Sequence, residues 1–186
     1  MTQRYPYPHA IENGGGERLV FERRVPGPRG DRLEGHNVVS PGAGPPMHVH
    51  HLQTEALTVV EGRMGWQRLG GPERFAGPGE EVVFAPGEAH RFWNAGDGDL
   101  RCSAWIEPAD NVEYFLTEIF ESTRRSGGGR PHPLDATYLT TRYRSEFAML
   151  AIPAPVQRVV FPLLVAIGRL TGRYRKYADA PEPVRR

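Results

Sequence analysis

Three histidines and one carboxylate are spaced in this chain so that two separate strands would aim them at one point. His48-x-His50 is followed by Glu55, and His90 stands behind the turn Ala85-Pro86-Gly87. Neutral imidazole and carboxylate are borderline ligands that suit divalent Fe, Mn, Co, Ni, Cu or Zn. Four of them on a six-coordinate ion leave two positions for water, dioxygen or substrate. A His-x-His-His run by itself is most often a solvated loop. The carboxylate, the framing glycines and a distant histidine behind its own turn are what turn it into a metal site.

The elements that must position these groups follow from parity. Alternate residues of a strand share a face, so His48 and His50 point into a barrel and Val49 points out. Glu55 has the wrong parity for an uninterrupted strand, so Leu52-Gln53-Thr54 must contain a turn or bulge that resets it. His51 then faces outward. Pro86-Gly87 is a turn signal that delivers His90 on a following strand, with Phe92 and Asn94 on its face.

Written out with their glycines, the two groups are Gly42-x5-His48-x-His50-x4-Glu55-x6-Gly62, and Gly79 followed by Ala85-Pro86-Gly87-x2-His90-x3-Asn94. They resemble the two sequence motifs of the cupin family. The first fits at every position. In the second, Ala85 stands where the family usually has proline and Pro86 comes next, a departure in the turn and not at a ligand. The resemblance covers about half of the chain. It implies an all-β core, a double-stranded β-helix (jelly-roll barrel), with one divalent transition metal on His48, His50, Glu55 and His90. Short strand patterns agree with this: 18–23, 33–39, 47–51, 55–60, 63–69, 81–84, 90–94 and 100–106, separated by clusters such as Pro26-Gly27-Pro28 and Gly77-Pro78-Gly79.

Cupins support dioxygenases, isomerases and epimerases, decarboxylases and non-catalytic binders, so the fold does not choose the chemistry. Met64, Trp66, Phe84, Phe92, Asn94 and Trp105 are the candidates for a cavity lining. This aromatic content favours an oxygenase acting on a small molecule in an apolar cavity. A metal-dependent isomerase or epimerase would instead use Arg63, Arg68 or Arg91 as polar donors, and a binding module would hold its ligand without turnover. Glu55 could remain a ligand throughout or act as a base.

Composition narrows the rest. The chain has 186 residues and a formal charge of +1, which gives no electrostatic case for nucleic acid. Lys176, in the tail, is the single lysine, so no barrel position can carry Schiff-base or P-loop lysine chemistry. Cys102 is the one cysteine, which excludes an intrachain disulfide and suits a reducing, cytoplasmic setting. It sits in a strand pattern and reads as a core thiol. The start of the chain has no apolar run of signal-peptide type.

Three parts are expected: an N-terminal arm over 1–16, a barrel over 17–109 and a helical extension over 110–186 that packs on the barrel or on a partner subunit. In the extension, Val112, Phe115, Leu116, Ile119 and Phe120 form one stripe behind a capping Asp110. A Gly-rich linker follows, with a solvated His132, and helical pattern resumes from 135 to about 151. After Pro153 and Pro155 comes a last helix whose apolar face runs from Val156 to Tyr174. Gln157, Arg158 and Arg169 argue against a membrane span. A homodimer contact is preferred, with a membrane-surface helix through 156–177 as the alternative.

Overall fold

The computed structural model describes residues 4–185. The strands are β1 (His9–Glu12), β2 (Glu17–Val25), β3 (Arg32–Val39), β4 (His48–His50), β5 (Thr54–Glu61), β6 (Met64–Arg68), β7 (Arg74–Ala76), β8 (Glu81–Phe84), β9 (His90–Asn94), β10 (Leu100–Glu107) and β11 (Phe147–Met149). The helices are α1 (Val112–Arg125), α2 (Pro133–Arg142) and α3 (Ala154–Leu170), followed by a 3-10 turn over Arg173–Tyr177. The strands form a six-stranded sheet, β1-β2-β3-β10-β5-β8, and a five-stranded sheet, β11-β4-β9-β6-β7. Together they make a double-stranded β-helix, or jelly roll.

Alternation along the strands sets the interior. Leu57, Val59, Phe84, Phe92, Leu100 and Cys102 are buried between the two sheets and fill the barrel. A second cluster unites Phe21, Leu33 and Ile106 of the first sheet with Val112, Phe115, Leu139, Tyr143 and Phe147 of the extension. The extension therefore shares a core with the barrel. Gly62 shows why a glycine frames the first motif: its φ is +89°, and an added Cβ would lie 2.8 Å from the Asp99 carbonyl.

Several expectations change. Residues 9–12 of the expected arm pair in register with β2, His9 opposite Phe21 and Glu12 opposite Arg18. Tyr7 Oη donates to Glu113 Oε2 at 2.9 Å, which ties the arm to α1 of its own chain. The expected helix over 135–151 stops at Arg142, and residues 147–149 form a strand instead. Ser-Glu-Phe-Ala-Met-Leu-Ala is locally helix-prone, but pairing with β4 supplies hydrogen bonds that outweigh propensity. Asn111, not Asp110, is the N-cap residue of α1, and no side chain caps it there. His132 is not idle: its Nδ1 accepts the Leu134 N–H at 3.2 Å and caps α2.

The apolar face of α3 does not cover the barrel. The helix packs on α2 and the 3-10 turn, where Tyr174 lies against Gly168 so closely that a Cβ there would clash. Val156, Val159, Val160, Leu163, Ile167 and Leu170 stay exposed. No described helix is long and apolar enough to cross a membrane.

Candidate metal centre

β4 carries His48 and His50 on its inner face, and β9 brings His90 directly opposite His48. The chain leaves β4 at His50, bends through 51–52 and re-enters β5 at Thr54, which restores Glu55 to the inner face. That bend is the parity reset the spacing requires. His51 is exposed. One ligand atom from each of His48, His50, Glu55 and His90 lies within 4.8 Å of all the others, so the cluster can hold a metal ion.

The three Nε2 atoms converge on one carboxylate oxygen. Glu55 Oε2 lies 2.9 Å from His90 Nε2, 3.5 Å from His50 Nε2 and 4.0 Å from His48 Nε2. The opposite nitrogens are committed elsewhere. Nδ1 of His48 is 2.8 Å from the Pro46 carbonyl oxygen, and Nδ1 of His90 is 2.9 Å from that of Glu88. Each must donate its N–H there, so both Nε2 atoms present lone pairs to a carboxylate. A cation held by all four groups would meet these lone pairs and the carboxylate together. His50 Nδ1 is buried without a partner among the described residues.

The electrostatics favour the ligating forms. Burial lowers the His50 pKa to about 3 against the opposing pull of Glu55, and burial likewise lowers that of His48. Burial raises the Glu55 pKa, but the His90 hydrogen bond and the three imidazoles outweigh it and bring it down to about 2. At neutral pH Glu55 is an anion, and His48 and His50 are neutral. The donor set therefore fits a divalent transition metal.

Aromatic rings pack the cluster from two sides. Phe84 stacks parallel on His90 with ring centroids 3.7 Å apart, and Trp66 meets Phe84 edge-on at 6.1 Å. From the extension, Phe147 stands edge-on to His50 at 5.4 Å and contacts Phe115 at 4.9 Å. Contacts of this kind add about 0.5–1.5 kcal/mol beyond burial.

The cavity candidates separate. Phe84 touches a ligand and Trp66 touches Phe84. Phe92 and Met64 are buried among the barrel core, Met64 opposite Asn94 at the far end of β9 from His90. Asn94 is not a ligand-reading group: its Nδ2 donates to the Val39 and Gly98 carbonyls, and its Oδ1 accepts the Gly96 N–H. Trp105 does not line the interior. It pairs with Ala56, while its neighbour Ile106 pairs with Glu55, so Trp105 faces out and stacks with Arg32 at 4.3 Å. Arg68, on the inner face opposite His90, is occupied by Glu88 and the Val83 carbonyl.

Sequence reasoning missed the residues of β11 and Glu146. Glu146 is fully buried, and its carboxylate accepts from the backbone N–H and Nδ2 of Asn111 and from the Val184 N–H, at 3.2, 2.7 and 2.9 Å. Its carbonyl takes the His51 N–H at 2.8 Å. A single isolated acid in a helix-like stretch leaves no periodic signal that could have found it.

Fold and site together define a jelly-roll barrel with an intact three-histidine, one-carboxylate cluster. Residues 35–107 match the family profile described as "Cupin domain". The barrel over these residues is therefore a cupin domain. A stretch of 78 residues is 33% identical to "Epoxidase atD" of Aspergillus terreus, covering 41% of this chain and 24% of that protein. Another of 80 residues is 29% identical to "Probable oxidoreductase virH" of Hypocrea virens, covering 42% of this chain and 36% of that protein. Less than half of either relative is thus spanned. Among solved structures, that of KdgF from a Halomonas species aligns at 17% identity and a TM-score of 0.48, over 56% of this chain and 92% of the other.

Proposed function

We propose that this chain is a metal-dependent cupin that binds one divalent transition metal through His48, His50, Glu55 and His90 and acts on a small molecule by dioxygenase-like oxidoreductase chemistry. The observation that carries the proposal is the convergence of three Nε2 atoms on Glu55 Oε2, with the far nitrogens of His48 and His90 already committed to carbonyls. When bound there, a redox-active metal supplies electron transfer toward dioxygen as well as Lewis acidity, whereas zinc supplies only the second. The names epoxidase and oxidoreductase borne by the two relatives point the same way.

The chain's own residues have definable parts in this reading. Pro46 and Glu88 hold two imidazoles in the ligating tautomer, and Phe84 and Phe147 limit their rotation. The same rings keep bulk water from the inner side of the site. The test compares protein reconstituted with Fe(II), Mn(II), Ni(II), Cu(II) or Zn(II) for oxygen uptake with phenolic, thiol and enediol compounds. Uptake is expected with at least one redox-active metal and not with zinc. Equal turnover with zinc would point to isomerase or epimerase chemistry, and tight ligand binding without turnover under any metal to a binding module.

The same reading places a reduced-thiol protein in the cytoplasm as a homodimer, its exposed α3 face meeting a second copy. Mass in solution tests the dimer. A monomer that floats with anionic vesicles would replace the dimer by a membrane-surface contact through 156–177.

A further inference from the structure

Metal ligands differ in how far they can be reached. The side chains of His48, His50 and Glu55 are 13%, 10% and 11% exposed, while that of His90 is 1% exposed. The reachable part of the cluster therefore includes both histidines of β4, and the strand bordering β4 comes from the extension. β11 runs antiparallel to β4 with Phe147 opposite His50, Ala148 opposite Val49 and Met149 opposite His48. Directly opposed residues of an antiparallel pair project to the same face, with Cβ atoms about 4.5–5.5 Å apart. Phe147 and Met149 thus stand on the ligand side and Ala148 on the outside. Phe147 is buried and already packed, but Met149, opposite His48, is half-buried.

The backbone of Met149 is held in place. Gln157 Nε2 donates to its carbonyl at 3.2 Å, and the next residue, Leu150, donates its N–H to the Met47 carbonyl at 2.9 Å. A flexible thioether on a fixed backbone makes a wall that adapts to a flat apolar body and favours aromatic contacts. Arg68, the cation nearest in register, is already paired with Glu88.

Building on the metal-centre reading above, we propose that Met149 is a specificity-determining residue that sets the size of molecule admitted to the metal. The full-length protein loaded with Co(II) provides the test, because visible absorption reports both metal content and ligand entry. The probes are azide, which is small, and 4-phenylphenol, which is bulky. Met149→Trp is expected to weaken 4-phenylphenol about tenfold or more while azide affinity and cobalt content stay within about twofold. Met149→Ala, which removes bulk without inserting any, is expected to shift the same ratio the other way by about fivefold. An unchanged ratio of the two affinities in Met149→Ala overturns the inference, and so does equal weakening of both probes in Met149→Trp. Parent protein that holds no cobalt would overturn the metal reading and this inference with it. One cobalt per chain with the ratio indifferent to Met149 would overturn this inference alone.

Discussion

Replacing Phe147 with alanine is the sharpest test of whether the extension belongs to the site. The side chain is 5% exposed, shares a core with Leu33, Ile106 and Val112, and sets its ring against His50 and Phe115. Truncating a buried phenylalanine costs about 3–5 kcal/mol, because the transfer energy of the ring is lost and the rigid surroundings keep a cavity. For a domain of this size each kcal/mol lowers Tm by about 2–4 °C, so metal-free Phe147→Ala should melt about 6–20 °C below the parent. Calorimetry in chelator measures this without a contribution from metal binding. Removing a group that orients a ligand typically costs about 10–100-fold in metal affinity, and titration of the refolded variant should show a loss in that range. Leu69→Ala, at a side chain 64% exposed and away from α3, is the control and should change stability by less than about 0.5 kcal/mol. A Phe147→Ala protein that melts within about 2 °C of the parent and keeps its metal affinity would refute the reasoning, since the barrel would then hold its site without β11.

Other expectations follow from the same contacts. His50→Ala or His90→Ala should lose most bound metal by elemental analysis, while His51→Ala should keep it; one metal per chain retained in a His48/His50 double alanine variant would falsify the ligand assignment. His132→Ala should leave metal content unchanged and lower stability by about 1 kcal/mol, the worth of a helix cap. Burial raises the Asp135 pKa, but hydrogen bonds from Arg173, Lys176 and Ser122 outweigh it and bring it down to about 2. The resulting stability is therefore present above about pH 4 and is lost as pH falls toward 2; it amounts to at most about 2 kcal/mol, because Arg173 and Lys176 are partly exposed, and Asp135→Asn should flatten denaturation curves over that window. Truncation after Ser126 should cost metal affinity as well as solubility, because it removes Phe147 from His50 and bares the edge of β4; a truncated chain with the parent's affinity would contradict this.

What the sequence disclosed and what it hid have a common physical basis. The clustering of His48, His50, Glu55 and His90 and the bend at 51–52 were legible because period-two alternation and positive-φ glycines leave local traces that need no knowledge of the rest of the chain. β8 and β9 were read to the residue for the same reason. β7 and β11, of three residues each, are too short to carry a period, and they exist because a neighbouring strand offers an edge. Trp105 was placed inside because aromatics usually fill barrels; only its register with Ala56 shows that it faces Arg32. Asp110 looked like a cap by type, but Asn111 occupies the position and spends its side chain on Glu146, a partner far along the chain.

The pairing of β4 also bears on biosynthesis. β4 meets β9 through the single register pair His48 with His90, and its other edge is covered only by β11. Roughly 60 residues separate His90 from Phe147, so on a ribosome adding about 5–20 residues per second the ligand strands are complete some seconds before their cover exists. During that interval the centre is open along one side. If the cluster takes up a metal as proposed, capture is expected to be faster on the nascent or refolding chain than on the folded metal-free protein, where Phe147 and Met149 border the approach. The ion a cell installs would thus depend on which metal is at hand during synthesis as much as on relative affinity.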